Sequence, residues 1–269
     1  MTVIQGPSND TVTPIHSKGR YFFKGDQRFL IKGVVYRLHG EGPLDPLVDD
    51  RLEDLQRDIT LFKQLGLNTL FIYSMSQYPN TLGIIVANGA MSTIYSTSLA
   101  PMIKTVIRDV KKYMATAKEI TGQRQLPIGY SASTGRLILR TTFDYFTAGK
   151  EDETVDFFCY ANFNWCGQST LHISGYKQEL KTFDNAHIPV FFSQYGCNLG
   201  ACGKRIFQET SAIYSSAMTR VFSGGIAYEF YDSPDIRQSL EEKVWMEVGV
   251  EELTTTDFQL SHQPKFIRA

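Results

Sequence analysis

The stretch "IPVFFSQYGCN", Ile188 to Asn198, carries a polar side chain directly after a run of apolar residues. The run ends at Phe192, and Gln194 follows two positions later. A buried parallel strand of this kind delivers a side chain to the mouth of a barrel, where barrel enzymes place catalytic residues. A carboxylate at such a strand end could act as a nucleophile or a base. An amide predicts a hydrogen-bonding residue that lines the mouth.

Four cysteines offer a second kind of chemistry, and they lie close together at Cys159, Cys166, Cys197 and Cys202. Three disulfide connectivities are open to four cysteines. A zinc site is a competing interpretation, but the spacings C-x6-C and C-x4-C without a nearby HxxxH pattern argue against it. Unpaired buried thiols are the third interpretation. A disulfide would indicate an oxidising compartment.

Alternating strands and amphipathic helices must position these residues. The apolar pattern predicts seven strands, at residues 28–36, 68–74, 81–88, 126–132, 155–163, 188–194 and 224–231. Predicted helices between them include Leu52–Leu65, closed by Gly66, and a helix capped by Ser98 and ended by Gly122. A less regular helix covers residues 137–146, and one helix spans Phe207–Phe222. This order favours an α/β fold with a parallel sheet or a (β/α)8 barrel.

One connection is too short for that architecture. Six residues, Met75 to Asn80, join the strand that ends at Ser74 to the strand that begins at Thr81. Parallel neighbours need a crossover of at least about ten residues. The two strands are therefore antiparallel, or a βα unit is absent. We expect an incomplete barrel of seven strands or fewer, with lowered stability, self-association and exposed apolar surface near Leu70, Ile72, Ile84 and Val86.

Composition narrows the class of protein. The chain has 269 residues, 42% of them hydrophobic, which is enough for one hydrophobic core. Its net charge is −1 and it has no basic stripe, so nucleic acid is not an expected partner. The longest aliphatic run, Leu82–Ala87, is too short to span a membrane. As written, the polar beginning contains no signal peptide and the end no lipidation signal, which taken literally predicts a cytosolic chain. No metal or cofactor is expected.

Several long motifs resemble, in order, the Gas/Gel family of fungal β-1,3-glucanosyltransferases, glycoside hydrolase family 72. They include "DPLVDDRLEDLQRDITLFKQLGLNTLFIYS", "LPIGYSAS", "DFFCYANFNWCG", "IPVFFSQYGCN" and "VFSGGIAYEFY". The likeness covers residues 18–262, which predicts a disordered segment 1–17, a barrel domain 18–262 and a tail 263–269. The resemblance implies a (β/α)8 barrel that cleaves β-1,3-glucan and transfers the new end to another glucan. Family members are usually extracellular and GPI-anchored, so the location of this chain stays open.

The resemblance also implies which residues form the site. Retaining transfer uses two carboxylates about 5 Å apart, one as nucleophile and one as acid/base. Gln194 occupies the nucleophile position, and Gly89, after Asn88, occupies the acid/base position, so both glutamates are replaced. Glu229 and Asp232 follow the last strand, but neither lies at a family catalytic position.

The remaining site residues also come from the resemblance. Phe163 replaces a family tyrosine, so one hydroxyl is lost. The residues implied to bind substrate are Tyr36, Tyr73, Asn88, Phe163, Trp165 and Tyr228. Each aromatic alone fits core packing, whereas together they could stack glucose rings. A disulfide between Cys166 and Cys197 is implied as well.

Three functional hypotheses follow from these residues. The first is a β-1,3-glucanosyltransferase relative whose catalysis is impaired, a pseudoenzyme. The second is a non-catalytic protein that binds β-1,3-glucan. The third is a truncated or decaying gene product without function. The lost carboxylates favour the first over an active enzyme, and the retained aromatic residues favour the second.

Overall fold

The structure, a computed structural model, describes residues 13–36, 52–73, 80–197 and 206–230. Its strands are β1 (Ile15–Lys18), β2 (Tyr21–Lys24), β3 (Gln27–Phe29), β4 (Ile31–Val35), β5 (Thr69–Phe71), β6 (Ile84–Asn88), β7 (Ile128–Ala132), β8 (Phe157–Asn162), β9 (Val190–Tyr195) and β10 (Gly224–Ala227). Its α-helices are α1 (Leu52–Gln64), α2 (Ala100–Thr121), α3 (Arg136–Thr147), α4 (Tyr176–Thr182), α5 (Gln208–Ile213) and α6 (Ser216–Thr219). Cys202 and Asp232 lie outside the described residues.

The main sheet has seven parallel strands in the order β5-β4-β10-β9-β8-β7-β6. The last strand, β10, pairs with the first strand of this sheet, β4, so the sheet curls as a barrel wall does. Strands β5 and β6 are consecutive in the chain, yet they form the two ends of the sheet. The expected incomplete (β/α)8 barrel is therefore confirmed. The opening lies between β5 and β6, where the short connection predicted it.

An antiparallel hairpin sheet, β1-β2-β3, covers the bottom of the barrel. The Phe22 ring is fully buried and lies 6.0 Å from the Phe157 ring and 6.1 Å from the Phe191 ring, centroid to centroid. Both partners stand near the beginnings of their strands, which fixes the hairpin at the end opposite the mouth. Strand β1 begins at Ile15, within the segment 1–17 that was expected to be disordered, and residues 1–12 lie outside the described residues. The strand predicted over residues 28–36 divides into β3 and β4.

The helices cover the outside of the sheet, and two predicted details need correction. Helix α2 has Pro101 in its first turn and ends at Gly122 in the left-handed conformation, as the sequence indicated, but its N-cap is Leu99 rather than Ser98. The single helix predicted over Phe207–Phe222 is two short helices. Its chain breaks at Tyr214, whose hydroxyl donates to the buried Ile31 carbonyl 2.7 Å away. The next residue caps α6 with its side chain.

Two apolar clusters pack against the two faces of the curled sheet and stabilise it. Outside the wall, aromatic rings between strands and helices form the larger cluster, and inside the barrel a smaller cluster surrounds Phe157 and Phe191. Gly129 shows how tight the interior is, because a Cβ built there would lie 2.0 Å from a Phe157 ring carbon. The interior is thus filled by side chains in the part of the chain that is described.

The apolar residues beside the opening are less exposed than expected. Leu70, Ile72, Ile84 and Val86 are all half-buried. Three of them, Leu70, Ile84 and Val86, pack against the outer cluster, which removes much of their surface from water. The apolar surface expected near these residues is therefore present, but it is only partly exposed. Leu70, Ile72 and Ile84 line an apolar cavity.

Candidate functional site

The mouth of the barrel is formed by the carboxyl ends of the parallel strands, and Gln194 lies there. It is the penultimate residue of β9, between the buried Ser193 and the buried Tyr195. Its own side chain is half-buried, and its Nε2 donates to the Tyr73 hydroxyl at 2.9 Å. Tyr73 follows β5, three places away from β9 in the sheet. This hydrogen bond therefore reaches across the mouth and orients the amide.

Asn88 and Gly89 occupy the end of β6, on the other side of the opening. Asn88 is exposed, and the Gly89 N–H donates to the Ser131 carbonyl at 2.9 Å. Gly89 has φ +66°, and nothing lies within 4 Å of the place where its Cβ would stand. A larger residue would find space here, but the left-handed backbone costs a non-glycine residue about 1–2 kcal/mol. The backbone at Gly89, which the resemblance assigns to the acid/base position, is suited to a glycine.

The loop after β8 is tied to the end of β9. Cys166 and Cys197 form a disulfide with their Cα atoms 5.0 Å apart, which confirms the pairing that the resemblance implied. Trp165 is buried beside the disulfide, where its Nε1 donates to Gln208 Oε1 at 3.3 Å. Its ring centroid lies 5.2 Å from that of Tyr176. The loop is thereby held next to the strand that carries Gln194.

Two aromatic residues form a corner of the mouth. The rings of Phe163 and Tyr228 meet edge to face with their centroids 6.0 Å apart, and both side chains are half-buried. The Tyr228 N–H donates to the Tyr195 carbonyl at 2.8 Å, which holds the end of β10 beside β9. These rings stand close to the strand that carries Gln194 and keep part of their surface accessible.

Tyr36 lies elsewhere. Its side chain is fully buried, and its hydroxyl donates to Asp58 Oδ2 of helix α1 at 2.9 Å. Its ring packs edge to face against Phe62 and Phe230. Of the six residues that the resemblance assigned to substrate, the structure thus brings four to the mouth with accessible surface: Tyr73, Asn88, Phe163 and Tyr228. Tyr36 and Trp165 contribute to packing.

A buried carboxylate on α4 was missed by the sequence analysis. Glu179 of α4 accepts from the Tyr160 hydroxyl at 3.1 Å and from Asn162 Nδ2 at 3.5 Å. Burial, together with the negative charge of Glu179, raises the pKa of Tyr160. A signal existed, because Glu179 stands within the helical stripe that also contains Tyr176 and Phe183. Tyr160 belongs to the outer cluster, so Glu179 helps to hold α4 against the outside of β8.

Other reactive groups near the site are shielded. Burial is the main cause that raises the pKa of the Cys159 thiol, so this side chain stays neutral inside the barrel. Ser131 donates to Ser193 at 2.8 Å, both fully buried beside it. Glu229 is buried after β10. Within the described ranges, no group of three His, Cys, Asp or Glu side chains could hold a metal ion.

Together these observations define a protein with an incomplete (β/α)8 barrel, whose mouth carries polar and aromatic side chains at the carboxyl ends of its strands. The sequence matches the family model for glucanosyltransferases of glycoside hydrolase family 72 over residues 5–77 and 71–237. The chain therefore belongs to this family. The two matched segments meet at residues 71–77, next to the opening in the sheet.

Curated relatives agree with this assignment. The chain is 35% identical to the 1,3-beta-glucanosyltransferase gel1 of Aspergillus fumigatus, over 85% of this chain and 62% of gel1. It is 31% identical to the 1,3-beta-glucanosyltransferase GAS5 of Saccharomyces cerevisiae, over 83% of this chain and 57% of GAS5. The chain thus spans about three fifths of the length of these relatives.

Solved structures give the same answer for the fold. Saccharomyces cerevisiae Gas2p, as a Glu-to-Gln mutant in complex with laminaritetraose and laminaripentaose, matches with a TM-score of 0.76 and 29% identity, over 85% of this chain and 63% of that chain. Gas2p in complex with laminaripentaose matches with a TM-score of 0.75 at the same identity, over 84% of this chain and 63% of that chain.

No helix among the described residues is both long and apolar enough to cross a membrane.

Proposed function

We propose that this chain binds β-1,3-glucan at the mouth of its barrel and does not transfer it. The observation that carries the proposal is the hydrogen bond of 2.9 Å from the Gln194 amide nitrogen to the Tyr73 hydroxyl at the mouth. The resemblance assigns Gln194 to the nucleophile position. Relatives named 1,3-beta-glucanosyltransferases support glucan as the ligand. The neutral residues at both catalytic positions support the loss of transfer.

The chemistry of the Gln194 amide explains why glucan transfer would be lost. A retaining nucleophile forms an ester with the sugar, and an amide side chain does not supply the carboxylate that this step needs. Removal of a nucleophile lowers kcat by about 10⁶-fold in a hydrolase where it was measured. A glycine at position 89 also supplies no general acid, and the loss of a general acid lowers the rate by about a further 10²–10⁴-fold. Residual transfer would therefore be negligible beside that of an active family member.

Binding has different requirements, and the mouth meets them. Sugars are held by aromatic faces and by neutral hydrogen-bonding groups, which Tyr73, Phe163, Tyr228 and Asn88 supply at the strand ends. A glutamine keeps much of the hydrogen-bonding capacity of a glutamate. The Glu-to-Gln mutant of Gas2p was solved with laminari-oligosaccharides, which supports the view that such a replacement is compatible with a bound glucan.

Titration calorimetry with laminaripentaose tests the binding, with a β-1,4-linked glucose pentamer as the control ligand. We expect heat from the β-1,3-linked oligosaccharide only. Tyr73→Phe removes the hydroxyl that orients Gln194, so we expect an affinity about two- to tenfold lower. Tyr113→Phe removes a hydroxyl from the outer surface of α2, where the side chain is 74% exposed, and serves as the matched control. Absence of heat at millimolar ligand would overturn the proposal.

A further inference from the structure

Helix α2 carries an apolar stripe on the surface that it presents to solvent. Val106, Tyr113 and Ile120 follow one another at intervals of seven residues, and Met102 lies one turn before Val106. These four side chains are 40%, 74%, 78% and 58% exposed, respectively. Leu99, directly before the helix, continues the seven-residue interval and is 36% exposed. These five residues form the α2 stripe.

The α2 stripe lies on a defined flank of the helix. The opposite flank is occupied, because Lys104 Nζ donates to the Tyr145 carbonyl at 3.2 Å. Lys111 Nζ likewise donates to the Glu151 carbonyl at 3.0 Å, and both acceptors lie in α3 or shortly after it. Members of the stripe stand two positions away from each lysine, which is about 200° around the helix. The α2 stripe therefore faces away from α3, on the side where β6 ends the sheet.

An exposed row of this kind indicates a contact surface. Soluble proteins expose single apolar side chains routinely, whereas a contiguous apolar row on a surface is uncommon. The inner face of α2 already packs against the sheet through Ile103, Ile107 and Met114. The α2 stripe is therefore additional to the face that the fold itself buries, and covering it would remove large apolar side chains from water.

The seven-residue interval selects a helix as the occupant. Apolar residues at this spacing fit the packing of two helices side by side, whereas a strand or a loop has no matching repeat. With 22 residues, α2 is about 33 Å long, so a partner helix would run beside it for about three heptads. The next longest helices of the described chain, α1 and α3, have 13 and 12 residues and contribute to the outer cluster of the same molecule. A second copy of α2 has the required length and the same apolar row.

Charges near the middle of α2 select the orientation of the two helices. Asp109 and Lys112 are both exposed. In a parallel pair each would face its own counterpart, which places like charges together. In an antiparallel pair centred at this point, Asp109 lies beside Lys112 of the second copy, and symmetry repeats the contact. The same alignment sets Met102 of each copy against Ile120 of the other, so apolar side chains meet at both ends.

We propose that this chain forms a two-fold symmetric dimer through antiparallel packing of the α2 stripes. The self-association expected from the sequence thereby gains a defined surface. One helix pair buries less than the roughly 1,600 Å² of a standard interface, so we expect a dissociation constant of about 1–100 μM. The surface lies on the outside of the barrel, and the dimer does not depend on whether the mouth binds glucan.

Sedimentation velocity of the full chain, over about 1–300 μM protein, tests this inference. We expect monomers at the lowest concentration and a species of twice the mass at the highest. A monomer throughout this range would overturn the inference, since the stripe would then be uncovered or covered by the chain itself. Growth beyond the dimer without limit would also overturn it, because strand edges rather than α2 would then drive the association.

Two glutamate variants replace exposed aliphatic side chains on different helices. Ile120→Glu puts a carboxylate against Met102 of the second copy, so we expect the dissociation constant to rise at least about tenfold. Leu137 is 89% exposed at the start of α3, away from the stripe, so Leu137→Glu should leave the dissociation constant unchanged. Circular dichroism spectra equal to that of the parent would show that both variants are folded. Equal effects of the two variants on the dimer would overturn the inference.

A charge exchange tests the antiparallel orientation. Asp109→Lys sets a lysine beside Lys112 of the second copy, so we expect the dissociation constant to rise about three- to tenfold. The double variant Asp109→Lys, Lys112→Asp restores an attractive pair with the signs reversed, and its dissociation constant should return to within about twofold of the parent value. A double variant that dimerises as weakly as the single variant would contradict the antiparallel pairing.

Discussion

Removal of the Cys166–Cys197 disulfide should lower the free energy of unfolding by several kcal/mol, on the order of the entropy of the loop that it closes. The bond closes a loop with a sequence separation of 31 residues. In the chain-entropy treatment, a loop of this length stabilises the folded state by about 3.7 kcal/mol at 25 °C, because the open unfolded chain gains more conformations. A whole domain is stable by only about 5–15 kcal/mol. The double variant Cys166→Ser, Cys197→Ser should therefore lose a large part of its stability.

Urea denaturation of both proteins, followed by circular dichroism, measures this difference. We expect the free energy of unfolding to fall by about 3–4 kcal/mol in the double variant. The parent protein under reductant should lose a similar amount, while the double variant should not respond to reductant. A loss below about 1 kcal/mol would refute the reasoning, since the loop would then be constrained by other contacts.

Three further predictions concern single residues, each checked by denaturation against the parent protein. Tyr36→Phe removes a donor from the buried carboxylate of Asp58 and should cost about 1–3 kcal/mol, and an unchanged stability would contradict the buried placement. Gly129→Ala forces a methyl group against the Phe157 ring and should cost about 1–3 kcal/mol or prevent folding, so an unaffected variant would disprove this contact. Stability should fall above about pH 10, because burial raises the pKa of Tyr160, which stays protonated in the folded state while an unfolded tyrosine ionises. Tyr160→Phe should make that decline shallower, and an identical decline would count against this explanation.

Much of the fold could be predicted because its strands carry dense apolar runs. The run before Gln194 predicted β9, and the six-residue connection predicted the opening beside β5. The hairpin was missed because β1, "IHSK", has one half-buried residue and no apolar run. The break in the last helix was missed because it depends on Tyr214, whose hydroxyl reaches the Ile31 carbonyl 183 residues away along the chain. Such a contact leaves no local pattern.

The site was predictable to a lesser degree. The resemblance assigned six residues to the mouth and the structure brings four of them there, because a position at a strand end does not tell which way the side chain points. Tyr36 directly follows β4 and turns outward to Asp58, whereas Tyr73 follows β5 and turns toward Gln194. The hydrogen bond between Tyr73 and Gln194 joins residues 121 positions apart, and β5 and β9, the strands beside them, are not neighbours. Only the curl of the sheet brings them together.

A transfer assay tests the central claim most directly. The purified chain is incubated with a reduced laminari-oligosaccharide, beside an active family member such as gel1, and chain-lengthened products are separated by chromatography. If Gln194 and Gly89 replace the two catalytic glutamates, as we propose, we expect no lengthened product, since the loss of a nucleophile alone lowers the rate by about 10⁶-fold. Transfer at a rate within about tenfold of the active relative would contradict it.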